Sequence, residues 1–126
     1  MRAAVVQLSS TLETERNLSV ASELIDRAAQ AGARLVVLPE VFNRRGESAR
    51  VRAQAESLDG PSSLWAAEQA RRHRLWLVVG SLAEEAAGDC HNTSCLYTPE
   101  GHCAVVYCKI HLFDVDIPGA VAKESA

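Results

Sequence analysis

Apolar residues recur along this chain with two periods, and each change of period marks the edge of an element. "RAAVVQL" is a short apolar run with the look of a strand. "NLSVASELIDRAAQAG" then places Leu18, Ala21, Leu24, Ile25 and Ala28 at the three-and-four spacing of one helix face. Asn17 suits the N-cap of that helix and Gly32 its C-terminal stop. "RLVVLPE" is apolar on both faces, which predicts a central strand.

A polar stretch from Asn43 to Gly60 follows, in which "ARVRAQAES" has helical composition but no clear apolar face, so its structure stays open. "GPSSLWAAEQARRHR" predicts a second helix with Ser62 or Ser63 near its start. Its basic end, Arg71, Arg72 and Arg74, complements the helix dipole. "LWLVVGSLAEE" is a third strand, and "HNTSCLYTPEGHCAVVYCKIHLF" reads as two extended arms around the turn signal "TPEG". The order strand, helix, strand, helix, strand, hairpin predicts an α/β fold with parallel strands first and an antiparallel pair after. The tail over residues 115–126 has no periodicity and is expected to be loop, and no internal repeat is present.

Length and composition narrow the function classes. A chain of 126 residues suits one domain, and 48% apolar residues exclude wholesale disorder. With 13 Lys and Arg against 16 Asp and Glu, the net charge of -3 has the wrong sign for binding nucleic acid or an anionic membrane by bulk charge. The opening "MRAAVVQLSS" is too short in apolar residues for a signal peptide or a membrane span, so a cytoplasmic location is expected. In that compartment Cys90, Cys95, Cys103 and Cys108 stay reduced, and the acceptor patterns at Asn17 and Asn92 are coincidences rather than glycosylation sites.

Two charged residues stand out against the apolar pattern. Glu40 closes the second strand; a solvated acid is the ordinary reading there, yet ligands of open α/β sheets gather beyond the carboxyl ends of strands. Lys109 ends an apolar run, "CAVVYCK", whose alternation puts Cys103, Val105, Tyr107 and Lys109 on one face and Cys108 on the other. Such a lysine either snorkels from an edge strand or meets a carboxylate.

"RLVVLPE" followed by "YCKIHLFDVDIPG" closely resembles the nitrilase superfamily of carbon-nitrogen hydrolases, on the branch holding omega-amidases and deaminated-glutathione amidases. The likeness runs from "AAVVQL" to "DVDIPG" and implies a four-layer αββα sandwich. It also implies roles: Glu40 as general base, Lys109 as stabiliser of the tetrahedral intermediate, and Glu124 of the "ES" pair as a supporting carboxylate. Amide hydrolysis through an acyl intermediate needs a nucleophile, a base and a positive group facing the developing oxyanion. The implied substrate is a small linear amide, with no cofactor and no metal.

The family's cysteine nucleophile lies in a "CYDxRFPE"-like motif downstream of the lysine, and nothing like it occurs before Ala126. Residues 1–126 therefore resemble the amino-terminal part of the domain, with the carboxy-terminal half absent and activity not expected from this chain alone. A half-sandwich leaves apolar surface open, so a homo-oligomer or a complementary half is the expected partner. Two other readings compete: a non-catalytic interaction module or pseudoenzyme, and a cysteine-rich zinc or redox domain. Structural zinc prefers tighter cysteine pairs on turns than the four-residue gaps seen here.

Overall fold

In the computed structural model, residues 1–118 and 120–124 are described. The elements in chain order are β1 (Ala3–Val5), α1 (Thr14–Gln30), β2 (Leu35–Val37), α2 (Ser48–Arg52), α3 (Pro61–His73), β3 (Trp76–Ala86), β4 (Asp89–Tyr97), β5 (Cys103–Cys108), β6 (Asp114–Ile117) and β7 (Ala120–Lys123). Among the described residues β1 to β5 form one sheet in sequence order. The pairs β1–β2 and β2–β3 are parallel, and β3–β4 and β4–β5 are antiparallel. The central placing expected for the second strand holds, since β2 is bonded on both sides.

The helical period becomes a packed face. Ala21 and Ile25 of α1 and Ala66 and Ala70 of α3 are fully buried with Val36, Leu77 and Val79 of the sheet. Phe42, beyond β2, stacks on Trp65 of α3 with centroids 5.4 Å apart. The opposite face of the sheet is open: Val5 is 85% exposed, Val105 54% and Tyr107 53%. The described residues thus build one helical layer and one sheet layer of the αββα sandwich.

Several local expectations change in three dimensions. The first helix starts at Thr14, so Asn17 lies inside it rather than at its N-cap. The Asn17 side chain is buried because it works at longer range: Nδ2 donates to the carbonyls of Thr11 (2.7 Å) and Asn43 (2.9 Å), and Oδ1 accepts from Thr11 N–H (3.0 Å). Gly32 does end the helix, at φ +80°. The open stretch 43–60 contains α2, whose residues are all outside the core. A buried polar knot anchors its flanks: Glu56 accepts from Ser62 N–H (2.8 Å) and Ser62 Oγ (3.0 Å) and pairs with Arg44 at 3.4 Å.

The tail expected as loop over 115–126 is largely a two-stranded ribbon instead, with Asp114↔Lys123 and Ile117↔Ala120 in register. Its strands are too short to display a period, and cross-strand pairing supplies what sequence pattern did not. Ser125 and Ala126, the end of that tail, lie outside the described residues. The alternation read into the last hairpin arm is also broken. Leu96 pairs with Val105 but Tyr97 pairs with Cys103, so Ala104 is an extra residue on β5. That bulge turns Cys103 to the face of Tyr97 and Cys95, away from the face of Val105 and Tyr107.

Candidate active site

Glu40 leaves β2 through a tightly held corner. Leu38 N–H donates to Val78 O at 2.8 Å, keeping the chain against β3 for one residue beyond the strand. Leu38 and Pro39 then cross directly over Gly80, where a Cβ would lie 2.0 Å from Leu38 O and 2.9 Å from Pro39 O. Only glycine permits this approach. The next residue, Val41, sits at φ +46°, a costly conformation for a β-branched side chain. Its N–H donates to Ser81 Oγ (2.9 Å) and Phe42 N–H to Ser81 O (3.2 Å), which holds the strained corner in place.

Lys109 follows the last residue of β5, with its N–H donating to Asn92 O at 2.8 Å. Glu124 follows β7; its N–H donates to Phe113 O (3.2 Å) and Asp114 Oδ1 (2.9 Å), and Arg52 Nη2 donates to its carbonyl at 2.9 Å. The three residues converge. Lys109 Nζ lies 2.9 Å from Glu40 Oε1 and 2.9 Å from Glu124 Oε2.

Asn92 completes the arrangement, donating from Nδ2 to Glu40 Oε1 (2.8 Å) and Glu124 Oε1 (2.6 Å). Sequence reasoning passed over it as a chance acceptor pattern. A signal was present: Asn92 shares the strand face of Ser94 and Leu96, opposite the buried Thr93 and Cys95, so it looks out over the open side of the sheet. That Lys109 faces the same side could not be known without the register.

The electrostatics follow from these contacts. Hydrogen bonds from Lys109 first and Asn92 second hold the Glu40 carboxyl below its ordinary 4.5. For Glu124, burial alone works upward, but the bonds from Asn92, Phe113 N–H and Lys109 outweigh it and the carboxyl also sits below 4.5. Lys109 is raised above 10.5, chiefly by Glu40 and then by Glu124. At neutral pH the centre is therefore an ammonium between two carboxylates.

The two acids differ in what they leave free. Both Glu124 oxygens are engaged, Oε1 by Asn92 and Oε2 by Lys109 and by Phe113 N–H at 2.7 Å. Glu40 receives Lys109 and Asn92 on the same atom, Oε1. That division suits Glu40 to proton transfer and Glu124 to holding the lysine.

The triad opens into a cleft of about 430 Å³, also lined by Arg45, Arg52, Phe113 and Lys123. Cys90 lines it as well, with a thiol pushed up by burial. Cys108 turns away from Lys109, as its strand parity requires, and its Sγ rests 3.7 Å from His91 Nδ1. Among the described residues no three His, Cys, Asp or Glu gather in a metal-holding group, and no helix is long and apolar enough to cross a membrane.

A glutamate, a lysine and a second glutamate at sheet ends, facing one cleft, match the resemblance in the sequence, and the profile of the Carbon-nitrogen hydrolase family covers residues 2–125. The chain belongs to the carbon-nitrogen hydrolase family. Among its relatives, omega-amidase NIT2 of Danio rerio is 40% identical over 120 residues, spanning 95% of this chain and 43% of that protein. Omega-amidase NIT2 of Homo sapiens is 37% identical over 125 residues, spanning 99% and 45%. The chain thus spans a little under half the length of these relatives.

Solved structures agree with this carbon-nitrogen hydrolase assignment. The C. elegans NitFhit protein superposes with a TM-score of 0.86 at 32% identity, covering 98% of this chain and 31% of that one. Saccharomyces cerevisiae Nit3, a member of branch 10 of the nitrilase superfamily, gives 0.76 at 28% identity, covering 86% and 44%.

Proposed function

We propose that this chain supplies the base, the cation and the supporting carboxylate of an amide-hydrolysing site. One observation carries the reading: Lys109 Nζ stands 2.9 Å from both Glu40 and Glu124 at the wall of a cleft. Glu40 accepts the proton of the attacking nucleophile and later that of the hydrolytic water, using the oxygen that Lys109 and Asn92 leave free. Lys109, kept cationic by its two carboxylates, faces the oxygen on which negative charge develops. Glu124 and Asn92 keep the ammonium and Glu40 in register.

The substrate is a small linear amide that also carries a carboxylate. Arg45, Arg52 and Lys123 add positive charge to the cleft of a chain whose net charge is -3, which favours an anionic ligand at this place. The kinship with omega-amidases points the same way.

The thiol nucleophile comes from a complementary carboxy-terminal half, and residues 1–126 by themselves do not turn over amides. The positions of the four thiols support this: Cys108 lies against His91, Cys95 and Cys103 face the helical side, and burial keeps the Cys90 thiol protonated. The open apolar sheet face, with Val105 and Tyr107 half exposed, suits that half or a second copy of the chain as its cover. The working location is the cytoplasm.

The test is ammonia release from glutaramate-like and deaminated-glutathione-like amides. The chain alone is expected to be silent, and a mixture with a separately expressed carboxy-terminal half active, with Glu40→Gln abolishing that activity. Steady turnover by the chain alone would overturn the assignment of the nucleophile. A mixture whose turnover is indifferent to Glu40→Gln would overturn the assignment of the base.

A further inference from the structure

The amidase reading leaves the hairpin cysteines unused, and the bulge at Ala104 gives two of them a common place. Without it, Cys103 would face the open side with Val105; with it, Cys103 stands opposite Tyr97 on the same face as Cys95. Cys95 precedes Tyr97 by two residues, so the two cysteines are diagonal neighbours across β4 and β5. The two side chains are near enough for Cys103 to act on the Cys95 thiol. They differ in access, Cys95 being 2% exposed and Cys103 open to solvent.

We propose that Cys95 and Cys103 form a reversible cross-strand disulfide, a redox-modifiable staple in the hairpin that carries Asn92 and Lys109. The oxidant is a low-molecular-weight disulfide of the glutathione type. The Cys103 thiolate attacks one sulfur of the oxidant and expels a thiolate, leaving a mixed disulfide on Cys103. Cys95 then gives up its proton and attacks Cys103 Sγ, expelling the second thiolate. One protein S–S bond forms, one oxidant S–S bond is reduced to two thiols, and the two protein protons end on those thiols.

The division of roles follows from the site. Burial, with the neighbouring Cys103, pushes the Cys95 thiol up to about 12, so the exposed Cys103 is the entry point and Cys95 the resolving group. Closure joins residues 95 and 103 across the turn at Thr98–Gly101, where Gly101 N–H already donates to Thr98 O at 2.8 Å. Neither Glu40 nor Lys109 takes part in the chemistry, so the staple stands or falls apart from the amidase reading.

The reduced chain is incubated with oxidised glutathione, its remaining thiols are blocked, and it is cut after Glu100. The expected product is a chain lighter by two hydrogens, whose 86–100 and 101–124 pieces stay linked through Cys95 and Cys103 and separate on reduction. The link should persist in a variant carrying both Cys90→Ser and Cys108→Ser and vanish in Cys103→Ser. A stable glutathione adduct without closure, or a link in the unsubstituted chain that uses Cys90 or Cys108, would overturn the proposal.

Discussion

Replacing Gly80 with alanine isolates the corner that aims Glu40. The new Cβ would sit 2.0 Å from Leu38 O and 2.9 Å from Pro39 carbon and oxygen, all backbone atoms. Restoring ordinary contact requires the crossing segment to retreat by roughly 1.4 Å. It is not free to do so, because Leu38 N–H is bonded to Val78 O (2.8 Å), Ser81 N–H to Pro39 O (3.3 Å) and Phe42 N–H to Ser81 O (3.2 Å).

Overpacking against a fixed neighbour costs about 1 to 3 kcal/mol, and this contact belongs at the upper end because no side chain can swing away. Urea unfolding of Gly80→Ala beside the parent chain measures that loss. Gly88→Ala serves as the control: nothing lies within 4 Å of its new Cβ, and its φ of +88° leaves only backbone strain of about 1 kcal/mol. The same retreat moves Glu40 off Lys109, so carbon NMR should find the Glu40 carboxyl titrating closer to 4.5 in Gly80→Ala. A variant within about 0.5 kcal/mol of the parent, with Glu40 titrating unchanged, would refute the idea that Gly80 sets the approach.

Lys109→Met should raise the titration midpoints of both Glu40 and Glu124 in the same NMR experiment. In the parent, the stability these acids contribute is full above pH 4.5 and fades as pH falls through their lowered values, while the part from Lys109 lasts through 10.5 and is lost only above it. Acid unfolding of Lys109→Met should accordingly begin at higher pH; identical acid limbs would count against the triad. Asn92→Ala should also raise both midpoints while costing no more than about 1 kcal/mol in urea, since the groups it bridges retain Lys109 and solvent. Glu56→Ala removes the acceptor of Ser62 N–H and Oγ and the carboxylate paired with Arg44, and should cost about 1 to 3 kcal/mol by urea unfolding, with a loss below about 0.5 kcal/mol arguing that the buried knot is slack.

Sequence and tertiary structure divided this protein along a clear physical line. Burial and chain ends are written locally, so α1 could be read from its apolar spacing, α3 from its serine start and basic end, and the central β2 and the long β3 from their apolar runs. Glu40 and Lys109 were conspicuous for the same reason, as charges ending apolar runs. Where a local rule had two uses, it misled: Asn17 has the chemistry of a helix cap but spends its hydrogen bonds on Thr11 and Asn43.

Partnership between distant residues was decided only by the sheet. The alternation in "CAVVYCK" could not announce the bulge that turns Cys103 to Cys95, because a bulge is a mismatch of two strands and belongs to neither alone. Asn92 lies 52 positions from Glu40 and Lys109 lies 69 from it, separations over which chain order says nothing about distance. Parallel pairing of β2 with β3, and antiparallel pairing of β3, β4 and β5, carried all three to one edge of one cleft. Composition and periodicity chose the elements; register chose which side chains meet.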